Sequence, residues 1–294
     1  MSEKGELPPD TSSEIPRESA RAILFQFVVF PLGVVAIGVG IFLLFGMLAS
    51  ERHETRDYVN EIRSGSSHQR WQAAYQLSKS LKRGEALSDP DLQRDVADLY
   101  SKSKNDDPKV RRYLSMVLGR MGDRRSTPLL LDGLKDSDTE TRIYALLALG
   151  ELKDASAVPA IVALTRDDES DIRKSAVYAL GAIGDAAAIP VLVESMNDPV
   201  ADVRWNASLA LSRFGDRRSL PGLRQMLDRK IVAAAPDVKE RQTEETMIAA
   251  IAAWARLSGK DGLAELRAIG ASDPSMRVRS AAASAIQQVE AAGR

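Results

Sequence analysis

An internal repeat with a period of 31 is the strongest constraint that this sequence places on its fold. Five kinds of position return at that interval through the middle of the chain. They are arginine at Arg111, Arg142, Arg173 and Arg204, aspartate at Asp123, Asp154, Asp185 and Asp216, proline at Pro128, Pro159, Pro190 and Pro221, leucine at Leu118, Leu149, Leu180 and Leu211, and a small residue at Gly119, Gly150, Gly181 and Ser212. Repeats of this length are typical of stacked, elongated architectures.

One unit, residues 168–196, shows what the repeat encodes. Apolar residues such as Ile172 and Leu180 recur at helical spacing and form one stripe. Gly184 permits the left-handed turn that ends this helix, and Pro190 suits the first turn of a second one. Each unit is therefore predicted to be a helical hairpin. A hairpin cannot bury both its stripes alone, so neighbouring units must stack to form a continuous core.

The same unit resembles a known family. The residues that carry the resemblance are Asp168, Arg173, Ala179, Leu180, Gly181, Gly184, Asp185 and Pro190. They are similar to short HEAT-like repeats of the type found in phycobilin-lyase-related proteins. The resemblance covers residues 66–294 and implies an all-α, right-handed α-solenoid whose second helices line a concave surface. It is specific for the fold, because the matched residues build the scaffold.

The sequence also predicts where the array is irregular. The interval from Arg70 to Arg111 is longer than the repeat, which indicates an insertion around residues 83–90. A second insertion is expected at residues 229–241, after which Met247 takes the place of the repeating arginine. Terminal units of solenoids are often irregular because they cap the core.

A second feature is the uncharged stretch of residues 22–49. About 20 apolar residues span a bilayer core, so we predict one N-terminal transmembrane helix at 22–49, kinked or started by Pro31. The predicted organisation is then an acidic flexible tail (1–21), the membrane helix, a juxtamembrane polar helix or stalk (50–65) and the repeat domain (66–294). The alternatives are a cleaved signal peptide, disfavoured by the long apolar core and the acidic tail, and a buried core helix.

Two further expectations depend on that helix. Small residues at Ala36, Gly40 and Gly46 could let another membrane helix approach, although ordinary glycine content explains them more simply. A slight excess of Lys and Arg after the segment favours a single-pass membrane protein with a cytoplasmic repeat domain.

Composition excludes several classes of function. The chain has 0 Cys and 2 His, so thiolate chemistry is impossible and histidine-based metal or Ser-His-Asp sites are nearly excluded. The formal net charge of −1 argues against a chain built to bind nucleic acid. No phosphate-binding loop or other catalytic motif is present. We predict no catalytic residue, cofactor or metal.

The repeating arginines and aspartates are interpreted as structural, with each arginine pairing an acidic residue of the neighbouring unit and each aspartate capping a turn. The better candidates for binding are positions that vary while the scaffold repeats. A groove for a protein partner is predicted on the second helices at Arg112, Met116, Lys174, Tyr178, Trp205 and Leu209. Trp, Tyr and Arg are the usual anchors of protein interfaces. The alternative is that several of these residues pack between units.

Together these features predict a membrane-anchored, non-catalytic scaffold or adaptor, whose partners are proteins, the lipid bilayer and other transmembrane subunits. The alternative, implied by the resemblance, is a chromophore or cofactor lyase or its chaperone-like accessory protein. Nucleic-acid binding ranks last, because residues 50–294 are almost neutral.

Overall fold

The computed structural model describes residues 29–49, 55–81, 89–236 and 238–292, and for 42–49 it describes the helix but not the side chains. Within these ranges the secondary structure is helical. The helices are α1 (Phe30–Ala49), α2 (Thr55–Ser64), α3 (Ser67–Ser80), α4 (Pro90–Lys102), α5 (Pro108–Met121), α6 (Thr127–Gly133), α7 (Thr139–Leu152), α8 (Val158–Leu164), α9 (Ser170–Ile183), α10 (Ile189–Ser195), α11 (Ala201–Arg213), α12 (Leu220–Leu227), α13 (Arg229–Ala233), α14 (Glu240–Ser258), α15 (Leu263–Ser272) and α16 (Met276–Ala292). The predicted all-helical repeat solenoid is confirmed.

The chain divides into two units, residues 1–53 and 54–294, and α1 belongs to the first. Over the residues that the structure describes, none of the helices combines the length and the apolar character that crossing a bilayer requires. The predicted transmembrane helix at 22–49 and the predicted localisation as a single-pass membrane protein with a cytoplasmic repeat domain are therefore wrong. The lipid bilayer and transmembrane subunits lose their support as partners.

The described part of the predicted membrane segment is α1. Pro31 lies in its first turn, a position that suits proline, and residues 22–28 lie outside the described residues. Ala36 and Gly40 are exposed on α1, and the Cβ position of Gly40 has no neighbour within 4 Å. Gly46 lies outside the range whose surroundings are described.

The repeat unit of the second body is a short helix, a turn and a longer helix. In α8, Pro159 occupies the first turn, and the preceding Asp154 caps a 3₁₀ turn by accepting a hydrogen bond from the Ser156 amide at 3.1 Å. The longer α9 ends at Gly184, whose φ of 78° lies in the left-handed region that favours glycine. The same arrangement builds the pairs α6–α7 and α10–α11. Of the two short helices beside them, α7 and α9 each pack more extensively on the one that precedes than on the one that follows, so a short helix and the long helix after it form one hairpin.

Successive long helices pack directly against each other, and small residues allow this approach. A Cβ on Gly119 of α5 would lie 2.8 Å from the Cα of Ala148 in α7, and a Cβ on Gly181 of α9 would lie 2.5 Å from the Cβ of Ala210 in α11. Only glycine fits at such distances. Repeating leucines such as Leu180, which is 0% exposed, fill the space behind this contact. The recurrence of leucine in four units, and of glycine in three of them, thus sets the spacing of the long helices.

The array departs from the repeat at both ends. At its start, α2 packs on α3 and buries Val59 and Ile62 in the core, because these residues form an apolar stripe on an otherwise charged helix. The array therefore includes 55–64, which the sequence assigned to a stalk. Near its end, the extra helix α13 lies where the second insertion is predicted. The buried core is split there into two clusters, one from Val59 to Leu211 and one from Trp205 to Val289.

Candidate interaction surface

The long helices α3, α5, α7, α9 and α11 lie side by side and share one exposed face, which we call the long-helix face. Residues on it come from the varying positions of the repeat. Because the helices are held at fixed spacing by buried leucines and close glycine contacts, side chains from different units meet in a fixed arrangement. A rigid, extended surface of this kind presents several contacts at once.

An aromatic row crosses the amino-terminal half of this face. The Tyr113 ring on α5 lies 6.3 Å from Trp71, 5.1 Å from Tyr75 and 5.9 Å from Tyr144, measured between ring centroids. All four side chains are half-buried, so each keeps part of its ring at the surface. The amino group of Lys109 lies 5.1 Å above the Trp71 ring. The row therefore joins three units through one continuous, amphipathic surface.

The hydroxyl group of Tyr144 stays protonated near neutral pH. The pKa of Tyr144 is raised above its ordinary value, mainly by burial of the ring and next by the neighbouring Tyr113. Tyr75 accepts a hydrogen bond from Lys79 at 3.2 Å. Protonated phenols can donate as well as accept hydrogen bonds, which suits a surface for peptide groups.

Next to the row, Arg112 is held in an ion-pair network between units. Its guanidinium contacts Asp138 at 2.6 and 2.8 Å and Glu140 at 3.2 Å. Asp138 also caps α7 by accepting from the Thr141 amide at 2.8 Å. The hydrogen bond from Arg112 is the main reason why the pKa of Asp138 falls to about 2. Arg112 is thus committed to joining α5 to α7.

Three of the four repeating arginines, Arg111, Arg142 and Arg173, pair with carboxylates of the next unit. Arg111 is 3% exposed; it pairs with Asp136 at 3.0 Å and Asp132 at 2.9 Å and lies 4.4 Å over the Tyr100 ring. Arg173 binds both carboxylate oxygens of Asp198, at 2.8 and 3.1 Å. Asp136 and Asp198 occupy the same place in their units, in the turn before the next long helix.

Two members of the arginine series show how the insertion changes this pairing. Arg142 pairs with Asp167 like its neighbours. Arg204 instead donates to the carbonyls of Asp198 and Pro199, at 2.7 and 2.9 Å. The equivalent bridge to the last unit is made by Arg229 at the start of α13, which contacts Asp273 at 2.7 and 3.0 Å.

The repeating aspartates cap the 3₁₀ turns that follow the long helices. Each accepts from the amide two residues ahead: Asp123 from Arg125, Asp154 from Ser156, Asp185 from Ala187 and Asp216 from Arg218. The hydroxyl of Thr127 donates to Asp154 at 2.7 Å and is the main cause of the lowered pKa of that carboxyl. These groups are occupied with the backbone and with neighbouring units.

A hollow of about 650 Å³ opens at the carboxyl-terminal ends of the long helices. Its lining includes Leu81, Arg120, Glu151, Lys153, Tyr178 and Arg213. We call it the basic hollow, because its lining carries three basic groups and one acidic group. The Arg213 guanidinium lies 5.6 Å over the ring of Tyr178, which is 41% exposed.

The structure distributes the six predicted groove residues unevenly. Tyr178 is exposed at the basic hollow, and Met116 and Leu209 are half-buried on the long helices. Lys174 is paired with Asp171 on its own helix at 2.7 Å. Trp205 is 4% exposed and packs in the second core cluster, so its side chain is not part of the surface. The insertion after α12 explains this burial, because it brings α14 against α11.

Sequence reasoning missed the aromatic row. Tyr113 and Tyr144 occupy the same position in successive units. Trp71 and Tyr75 have the same spacing from Arg70 as the predicted groove residues Arg112 and Met116 have from Arg111. These two signals are visible in the sequence. The sequence does not show that side chains from two different positions of the repeat meet on the surface. This contact depends on how far one long helix is shifted along its neighbour.

The described residues offer no arrangement for metal chemistry: no group of three or more His, Asp or Glu side chains within them could hold a metal ion.

Stacked helical hairpins with one shared, amphipathic face define an α-solenoid, a class of fold that suits extended protein contacts. The sequence matches the family of HEAT repeats over residues 96–181 and 161–235. This central part of the chain is similar to HEAT repeats, as the sequence predicts, and HEAT repeats suggest a protein-interaction scaffold. None of the curated proteins matches the sequence.

Solved structures align with this chain at low identity. The complex of CpcE and CpcF of phycocyanin lyase from Nostoc sp. PCC7120 aligns with a TM-score of 0.52 at 18% identity, covering 80% of this chain and 94% of that one. Human deoxyhypusine hydroxylase aligns at 0.34 and 17% identity (84% and 99% covered), and a designed armadillo repeat protein at 0.39 and 18% identity (80% and 100% covered). At 18% identity, the likeness to the phycocyanin lyase complex shows the fold alone.

Proposed function

We propose that the chain is a non-catalytic scaffold that binds a protein partner on its long-helix face. The observation that carries this proposal is the aromatic row, in which Trp71, Tyr75, Tyr113 and Tyr144 lie within ring-contact distance across three units. Aromatic side chains that stay partly exposed on a rigid scaffold are typical anchors of protein interfaces. They lose little conformational entropy on binding, because packing already holds their rings.

The non-catalytic assignment is supported by the state of the polar groups. Arg112 and the repeating arginines are bound to carboxylates of neighbouring units, and the repeating aspartates bind backbone amides. Groups engaged in this way hold the array together and are not free to act on a substrate. The alternative of a chromophore lyase is tested directly: a shift in the absorbance of a free bilin on mixing with the protein would favour it.

The test uses a random linear-peptide display library selected on the immobilised full-length chain. Peptides enriched on the wild type should bind the variants Tyr113→Ala and Tyr144→Ala about tenfold more weakly or worse, since loss of an anchor costs upwards of about 1.4 kcal/mol. The matched control is Ile231→Ala, which removes an exposed apolar side chain from α13, away from the face.

Circular dichroism melting shows whether each variant keeps its fold, and Tyr75→Ala supplies a second probe of the row if one variant does not. The proposal fails if enriched peptides bind the tyrosine variants as well as the wild type, or if only the Ile231 variant loses them.

A further inference from the structure

Lys153 breaks the repeat in a way that costs stability. In the regular units, one repeating position just after the long helix adopts the left-handed conformation, and glycine occupies it at Gly122, Gly184 and Gly215, with φ between 73° and 78°. Lys153 stands one repeat after Gly122 and has φ 52° and ψ 41°. Among the described residues it is the only non-glycine with positive φ. A side chain there is strained, and glycine is not.

The surroundings hold Lys153 in this conformation. Its amide donates to the carbonyl of Leu149 at 3.2 Å, and its own carbonyl accepts from the Arg124 guanidinium at 3.1 Å. A residue kept in a strained conformation by its neighbours points to a use for its side chain. That side chain is exposed and lines the basic hollow.

The basic hollow has more positive than negative side chains among the described residues that line it. Arg120, Lys153 and Arg213 face it from three different units, against one carboxylate, Glu151. Within the described residues neither Lys153 nor Arg213 forms an ion pair; Arg213 instead lies over the Tyr178 ring. By contrast, the arginines at the other ends of the long helices, such as Arg112 and Arg173, are paired.

We propose that the basic hollow binds a carboxylate-bearing segment of the protein partner, an inference that rests on the proposed function of the long-helix face. Charge complementarity selects the acidic groups, and the exposed ring of Tyr178 offers an apolar contact to the rest of the segment. A nucleic acid fits less well, because Glu151 interrupts the positive surface and the chain as a whole carries a net charge of −1.

The test variant is Lys153→Gly, which removes the charge and the strain together. We expect it to melt at a higher temperature than the wild type and yet to bind acidic peptides about tenfold more weakly, the size of one charge-assisted contact. If Lys153 has only a structural role, the substitution raises the melting temperature and leaves peptide binding unchanged. Lys135→Gly, which removes an exposed lysine from a turn between units, is the charge-matched control.

The probes are the peptides enriched from the display library, each also synthesised with Asp and Glu replaced by Asn and Gln. The inference is supported if the acidic forms bind more tightly and if Lys153→Gly and Arg213→Ala remove that preference. It is overturned if enriched peptides hold no excess of acidic residues, if Lys153→Gly leaves their affinity unchanged, or if a single-stranded oligonucleotide binds through Lys153 while acidic peptides do not.

The two proposals fail in different ways. If the enriched peptides depend on Tyr113 but not on Lys153, the proposal for the long-helix face is supported and the proposal for the basic hollow is contradicted. A selection in which no enriched peptide depends on the aromatic row contradicts both.

Discussion

The ion pair between Arg112 and Asp138 gives a quantitative prediction about the contact between units. Asp138→Asn removes the charge but keeps an acceptor that can cap α7. The pKa of Asp138 falls from 3.8 to about 2 in the folded chain, which corresponds to about 2 kcal/mol of folding free energy at neutral pH. The two side chains are 21% and 22% exposed, so solvent screens part of this. We expect a loss of roughly 1–2 kcal/mol.

The pH dependence separates this charge effect from a packing effect. A lowered folded-state pKa contributes stability that is fully present above the unfolded pKa near 4 and is lost as the pH falls toward 2. Urea unfolding of wild type and Asp138→Asn should therefore differ fully at pH 6–7 and by roughly half as much at pH 3. Glu140→Gln is the matched control; its carboxylate contacts the same arginine but is 60% exposed, so a loss below about 0.5 kcal/mol is expected. Equal losses in both variants, or a loss for Asp138→Asn that does not change with pH, would refute the reasoning.

Two other substitutions test how the units are joined. Gly119→Ala places a methyl group 2.8 Å from the Cα of Ala148, so α5 and α7 must move apart. The midpoint of urea unfolding should fall by the equivalent of about 1–3 kcal/mol. An unchanged midpoint would show that the two helices are not in tight contact. Arg229→Met leaves the buried carboxylate of Asp273 without its ion-pair partner, which should lower the free energy of unfolding by about 2–3 kcal/mol. Amide hydrogen exchange should become faster in α15 and α16 and not in α7–α9, because each unit contacts only its neighbours. A uniform increase along the chain would contradict this local role.

Much of the scaffold could be predicted because local chemistry repeats. Gly184 and Pro190 fix where helices end and begin through backbone geometry, and Asp185 caps the turn between them. These effects act within a few residues, so spacing in the sequence is enough to find them. The regular recurrence of positions such as Leu118 and Gly119 likewise follows from the distance at which long helices stack.

Other features depend on contacts that spacing does not show. Arg112 is taken up by Asp138 of the next unit, and Trp205 is buried because the insertion changes how the last units pack. In each case the error came from judging a residue by its type and position in the repeat without the partner that the tertiary structure supplies.

The repeat architecture explains how one chain can combine a regular core with an irregular surface. In a solenoid each unit contacts only its neighbours, so the stability of the array is close to a sum of local terms. An unfavourable residue such as Lys153 therefore costs one unit a small amount and leaves the stacking of the others intact. The same independence lets aromatic residues occupy the long-helix face of α3, α5 and α7 while a charged hollow forms toward α11. Buried positions that repeat fix the spacing of the helices, and exposed positions that vary are free to determine what the surface binds.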